Sequence, residues 1–497
     1  MDPQSARTDR ESTGVDGLDA ILGGGLTADR LYLLEGTPGT GKTTFALRFL
    51  LAGARIGRRG LYITLSETAA ELSAVVASHG WSLDGIDVFE LVDDARRDPE
   101  AEQSILHPSE VELGETIRSV TAKIEHLKPE RVVFDSLSEM RLLAQDPLRY
   151  RRQILALKHF FANRSCTVLL LDDKTSDPGD LQLHSISHGV ISLEQCIEDF
   201  GTHRRRLQVV KMRGQRFQGG SHDFVLDTGR LAVFPRLVAS EHRAPVQHRP
   251  VGTGSKQLDQ MLGGGLSPGT STLLLGPSGV GKTTTAVHCM HAALERGERA
   301  TYYLFDEGLS TLLMRSKALG MDIEPYIGSG NLKVVQVDPA ELSPGEFACG
   351  VVDAVNDFGA TFIAIDSLNA YLQAMPGRHY LLLHLHELLT FLNHRGVSTI
   401  LVVGQHGVVG NVHSELDLSY LSDAVLLFKF FETNGVVHSA VTAVKSRTFE
   451  NERTIREFRI SAAAGIEIGE PLAGFEGILG GLTAYSGATQ MMPDPRQ

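Results

Sequence analysis

Gly36-Thr37-Pro38-Gly39-Thr40-Gly41-Lys42-Thr43-Thr44 recurs as Gly276-Pro277-Ser278-Gly279-Val280-Gly281-Lys282-Thr283-Thr284. Both segments fit GxxxxGK[ST], in which glycines let successive backbone N–H groups curl around phosphate oxygens. The lysine of such a loop reaches the terminal phosphates, and the first hydroxyl, Thr43 or Thr283, is placed to ligate Mg²⁺. An apolar run precedes each loop (LYLLEG, TLLLG) and a helical pattern follows (TTFALRFLLAGA, TTTAVHCMHAAL). Strand, glycine-rich turn and helix are therefore expected twice, and the nucleotide implied is a triphosphate such as ATP.

The copy extends well beyond the loops. TGVDGLDAILGGGL from Thr13 returns as TGSKQLDQMLGGGL from Thr253, and Gly14/Gly254, Asp19/Asp259, Lys42/Lys282 and Glu67/Glu307 all lie 240 residues apart. A register held without a gap over this distance indicates duplication. The segment around SEHRAPVQHRPV is polar and carries Pro245 and Pro250, which suits a linker. The expected organisation is residues 1–247, residues 248–470 and a loose tail over 471–497, rich in small residues. Further short apolar runs separated by helical lengths predict an α/β fold in each half, a mostly parallel sheet flanked by helices.

Composition narrows the function classes. The 497 residues carry a net charge of −13, so coating nucleic acid, which needs clustered Lys and Arg, is disfavoured. The start is polar, and no stretch approaches the ~18 apolar residues of a membrane span, so a cytoplasmic protein without a membrane partner is expected. Cys166, Cys196, Cys289 and Cys349 form no CxxC pair and read as buried free thiols.

Mg²⁺ also requires a carboxylate at the end of a neighbouring strand, and RVVFDS and FIAIDS supply Asp135 and Asp366, each followed by serine. A turn-capping aspartate is the alternative. Water activation calls for a further acid beyond the second strand, where the chain has Ser66-Glu67 and Asp306-Glu307. Caps of the following helices are the other role open to Glu67 and Glu307.

These loops, the GLDAILGGGL lead-in and the strand-end acids resemble the KaiC family of the RecA superfamily. HPSEVELGET from His107, VVFDSLSEMRLLAQ from Val132 and DLSYLSDAV from Asp417 are closest to its broader KaiC-like group. The resemblance covers nearly the whole chain and implies two tandem RecA-like domains, a homo-oligomeric, six-membered ring, and partners of the KaiA or KaiB kind. It also implies two glutamates at the acidic position, the first acting as base. Here that first position is Ser66 in one half and Asp306 in the other, so catalysis falls to Glu67 in the first half and to Asp306 and Glu307 in the second.

By the same resemblance, the KxR pairs Lys211/Arg213 and Lys445/Arg447 are cations placed against a neighbouring subunit's nucleotide, a solvated strand edge being the alternative. Ser419 falls at a family phosphorylation site, with a buried Ser-Tyr turn as the default. His203–Arg206 (HRRR) reads as surface or subunit interface. His384 and His386 lie two apart on a helix and cannot share a metal. Gln405-His406 can sense a terminal phosphate, with Asp172-Asp173 near the equivalent place in the first half. Three functions compete: a slowly hydrolysing ATPase switch, a nucleotide-binding scaffold with little turnover, and a RecA- or RadA-like DNA motor. Ser66 weights the first site towards binding and the second towards turnover.

Overall fold

The computed structural model describes residues 10–91, 108–144, 146–162, 164–174, 182–196, 201–247, 249–373, 378–405, 420–433, 435–448, 450–462, 465–479 and 484–485. Packing divides the chain into two units, 1–236 and 237–497.

Each unit is built on a 9-stranded sheet of the same order. In the first, the central strand Leu31–Gly36 lies between Thr167–Asp172 and Gly189–Cys196, parallel to both. Arg131–Asp135, Gly60–Thr64 and Ile86–Glu90 continue the parallel set on one side. Antiparallel strands Arg204–Met212, Ser221–Asp227 and Arg230–Phe234 close the other side. The second unit repeats this around Ser271–Pro277, which pairs in parallel with Ser398–Gln405 and Ala424–Thr433.

Side chains alternate across a strand, so a strand covered on both faces must be apolar throughout. Leu31 and Leu33 enter one core with Val132, Phe134 and Ile154, whereas Tyr32 and Leu34 enter the other with Phe45, Leu47 and Phe49. The expected α/β class, a mostly parallel sheet between helices in each half, is what the chain adopts.

Several details depart from the sequence expectations. The division by packing falls ahead of residue 248, because Leu237 and Ala239 join the second unit's core. The Ala239 N–H donates to Glu387 Oε2 at 2.9 Å and the Ala244 N–H to the His394 carbonyl at 3.2 Å, so this part of the polar segment is docked. The region expected to be a loose tail begins packed: Leu472, Phe475 and Ile478 are buried with Phe431 and Ala440. An apolar triplet spaced by three residues can cover an open sheet face whatever its small neighbours suggest. In the basic run, His203 is exposed, but Arg204 is buried and Arg206 Nε lies 3.6 Å from Asp223. Cys166 and Cys289 are buried, Cys196 and Cys349 only half-buried.

No helix among the described residues is long and apolar enough to cross a membrane. On the helix Arg378–His394, His384 is buried and hydrogen-bonded to Tyr371 at 3.0 Å, while His386 faces solvent, so the two do not share a site. Burial pushes the His384 imidazole down to about 4. Its folded value lies below the ordinary one, so the neutral form stabilises the fold and unfolding takes up a proton below about pH 6.5. Stability should therefore fall as pH drops from 6.5 towards 4, by on the order of a few kcal/mol from this group. His384→Gln should flatten that part of a urea-midpoint profile against pH, and an unchanged slope would contradict the assignment.

Candidate functional site

The strand Leu31–Gly36 ends where a side chain cannot follow: a Cβ on Gly36 would lie 2.7 Å from the Leu193 carbonyl oxygen and 2.7 Å from Thr40 Oγ1. At Gly276 the same atom would meet the Phe428 carbonyl at 2.7 Å. The loop then turns through left-handed Gly41 (φ 98°) and Gly281 (φ 106°), a conformation glycine adopts without cost. The helices Lys42–Ala54 and Lys282–Glu295 start there without a side-chain cap, leaving their first N–H groups pointed at the loop.

Thr37, Pro38 and Gly39, like Ser278 and Gly279, are exposed at the loop tip, whereas Thr40, Thr44, Val280 and Thr284 are buried anchors. Lys42 and Lys282 fold back under the loop, 7% and 8% exposed. Lys282 Nζ donates to the Pro277 carbonyl at 2.7 Å, and burial pushes its ammonium down to about 8 against the pull of Asp366. Lys42 Nζ donates to the carbonyls of Gly36 at 2.9 Å and Thr37 at 3.1 Å, and forms an ion pair with Asp173 at 2.7 Å.

The strands carrying Asp135 and Asp366 bring these carboxylates beneath the loops, each only 7% exposed. Thr43 Oγ1 donates to Asp135 at 3.3 Å, and the Thr283 hydroxyl likewise hydrogen-bonds Asp366. Burial raises both aspartates above the usual carboxylate range, while neighbouring hydroxyls hold them down. A hydroxyl and a carboxylate in contact at the loop offer the hard oxygen donors that Mg²⁺ takes alongside phosphate oxygens.

Sequence reasoning missed one member of this group. The Tyr62 hydroxyl donates to Asp135, and the Tyr302 hydroxyl to Asp366 at 2.7 Å. Burial, then the adjacent aspartate, pushes both phenols well above their ordinary value, so they remain donors. The signal was available, since Tyr62 and Tyr302 also lie 240 residues apart.

The catalytic candidates are arranged differently in the two units. Glu67 is half-buried; its N–H donates to Thr64 Oγ1 at 2.9 Å, and burial, then Asp135 and Glu71, raise its carboxyl. Glu307 is gripped by both terminal nitrogens of Arg315, at 2.9 and 2.8 Å, and Asp306 accepts a bond from Ser367. The first half has Val75 at the place of Arg315, and nothing in the repeat pointed to this arginine. Arg315, Glu307, Asp306, Lys282 and Asp366 line one cavity of about 680 Å³.

Gln405 lines the same cavity, and its Oε1 is buried without a hydrogen-bond partner among the described residues. His406 lies outside the described residues. The counterpart of Gln405 is Lys174 rather than Asp172 or Asp173: Glu35 pairs with Asp172 as Leu275 pairs with Val403, and the strands run on from there. Asp172 is instead bound by Arg141 at 3.0 Å.

The two KxR pairs contact their own chain in equivalent ways. Lys211 Nζ donates to the carbonyls of His184 and Ser187, and Arg213 to that of Ser185 at 2.8 Å. Lys445 donates to the Ser422 carbonyl at 2.7 Å and Arg447 to that of Tyr420 at 3.0 Å. Ser419 lies outside the described residues.

Duplicated strand–loop–helix units with a lysine, a hydroxyl and a strand-end carboxylate at each loop define a tandem RecA-like P-loop protein. A family profile described as "ATPase: KaiC" matches residues 11–238 and again 251–473. The chain belongs to the KaiC ATPase family. It is 24% identical to the circadian clock protein KaiC3 of Synechocystis sp., covering 99% of this chain and 98% of that protein. It is 27% identical to the circadian clock oscillator protein KaiC of Parathermosynechococcus lividus (95% and 87% covered) and 28% identical to KaiC2 of Synechocystis sp. (90% and 79%).

Replacing Tyr302 by Phe leaves a buried carboxylate short of one donor, which costs about 1–3 kcal/mol. Tyr302→Phe should accordingly lower the denaturant midpoint of the second unit, whereas Tyr303→Phe, which loses a 3.1 Å bond to the carbonyl of the exposed Gly350, should cost less. Equal losses would contradict this ranking.

Proposed function

We propose that the chain is a Mg²⁺-dependent ATPase of slow turnover that assembles as a homo-oligomeric, six-membered ring and uses nucleotide state to change its surface for protein partners. The observation that carries this reading is the pairing of a buried lysine with a hydroxyl–aspartate contact beneath each loop. Thr43 with Asp135, and Thr283 with Asp366, would hold the ion, which supplies counter-charge to the phosphates when bound. Backbone N–H groups from Gly36 to Thr44 and from Gly276 to Thr284 would cradle the phosphates, with Lys42 and Lys282 on the terminal ones.

In the second unit, Asp306 and Glu307 are the acids available to orient or deprotonate water, and the Arg315 fork fixes the direction of the Glu307 carboxylate. In the first unit that role falls to Glu67. A scaffold role is favoured there by Ser66 and by the ion pair that already occupies Lys42. Lys211, Arg213, Lys445 and Arg447 would act on a neighbouring subunit's nucleotide by leaving their own carbonyls on assembly. The kinase activity implied by family resemblance rests on Ser419 and is tested by mapping label from γ-labelled ATP.

Phosphate release measured on size-fractionated protein tests ring and chemistry together. Turnover should sediment with the oligomer and vanish in the Lys42→Ala, Lys282→Ala double variant; turnover surviving that variant would sink the reading. Lys282→Ala alone should remove more turnover than Lys42→Ala, and Lys42→Ala should weaken assembly more. The reverse pattern would reject this division.

A further inference from the structure

Where the second unit has Asp306, the first has Ser66, so the expected acid at the end of Gly60–Thr64 is missing. A carboxylate nevertheless stands in the first site, delivered from a different strand. Asp173 follows Thr167–Asp172; its Oδ1 lies 2.7 Å from Lys42 Nζ, and its Oδ2 accepts from Ser138 at 2.6 Å and Ser136 at 3.4 Å. Ser136 and Ser367 follow the two buried aspartates, and each contacts a carboxylate: Asp173 in the first unit, Asp306 in the second.

The duplicated half shows what this position looks like without the charge. Strand register sets Asp173 against Gly404, and the matching of Asp135 with Asp366 sets Ser138 against Asn369, three residues on in each half. There the Asn369 amide bonds the Gly404 carbonyl at 2.9 Å and N–H at 2.7 Å, a neutral closed pair, and among the described residues Lys282 hydrogen-bonds a backbone carbonyl and forms no ion pair. The two phosphate loops are alike in sequence and differ in what their lysines hold.

We propose that Asp173 is a specificity-determining residue of the first nucleotide site, which competes with the terminal phosphate for Lys42 and lowers the preference for triphosphate over diphosphate. The proposal rests on the reading of Gly36–Thr44 as a nucleotide loop. A carboxylate and a γ-phosphate cannot both take Lys42 at contact distance without repulsion between like charges, and partial burial leaves that repulsion poorly screened. A diphosphate, one charged group shorter, meets less of it.

The test uses the full chain carrying Lys282→Ala, so that binding reports the first site alone. Dissociation constants are measured with fluorescent ADP and with a fluorescent, non-hydrolysable ATP analogue in the presence of Mg²⁺. Asp173→Asn keeps the serine hydrogen bonds and should tighten the triphosphate analogue on the order of tenfold and ADP less. Asp173→Gly, which copies the second half, should move both constants in the same direction, so a folding defect confined to one variant does not decide the matter. Unchanged or weaker binding of the analogue, or an equal gain for both nucleotides, would overturn the proposal. If the Lys282→Ala parent binds neither nucleotide, the loop reading fails and the proposal with it, an outcome distinct from parent binding without a variant effect.

Discussion

In the middle of each sheet a strand is hydrogen-bonded to parallel neighbours on both sides and covered on both faces. A glycine at its end abuts a carbonyl of the neighbouring strand, so closely that a Cβ on Gly36 or Gly276 would sit 2.7 Å from that oxygen. The chain must turn sharply there, and the turn must be made of backbone. A turn of backbone followed at once by an uncapped helix start presents N–H groups and little else, which is the chemistry of a phosphate cradle. The buried lysine, the hydroxyl and the strand-end aspartate all take their places from this one close approach.

Around that shared frame the charges are arranged asymmetrically. In the first unit the loop lysine is paired with Asp173, while Glu67 sits in a half-buried position that raises its carboxyl. In the second, Lys282 forms no ion pair among the described residues, and it is the acid, Glu307, that is held, by Arg315. Each unit thus neutralises a different member of its site. Burying charge without a partner is costly; Lys42 takes its partner from a strand end distant in the chain, Glu307 from the helix that directly follows it.

The limits of legibility follow the same line. Lys42, Thr43, Asp135 and their copies were readable because the loop is contiguous and the aspartate ends an apolar run. Tyr62 and Tyr302 were readable in principle from the repeat but were passed over, since a tyrosine in an apolar strand has the look of core. Asp173 and Arg315 were not readable as ligands. The first depends on a strand register that the constant 240-residue spacing does not carry, because the later strands of the two halves differ in chain length between them. The second is a side chain from the following helix, present in one half only. The polar segment before residue 248 and the small-residue tail misled for a related reason: composition reports solubility, while Leu237, Leu472 and Phe475 dock through a few apolar contacts.

What the amino-acid sequence determined by itself was whatever depends on neighbours along the chain. That covers the twin glycine loops, the helices that start on their lysines, the doubly buried strands and the duplication that doubles them. Side-chain alternation and glycine's freedom are local physics and are written in local sequence. The tertiary structure alone decided that Lys42 meets Asp173, because the loop that carries the lysine and the strand end that carries the carboxylate are distant in sequence and adjacent only after the sheet has formed.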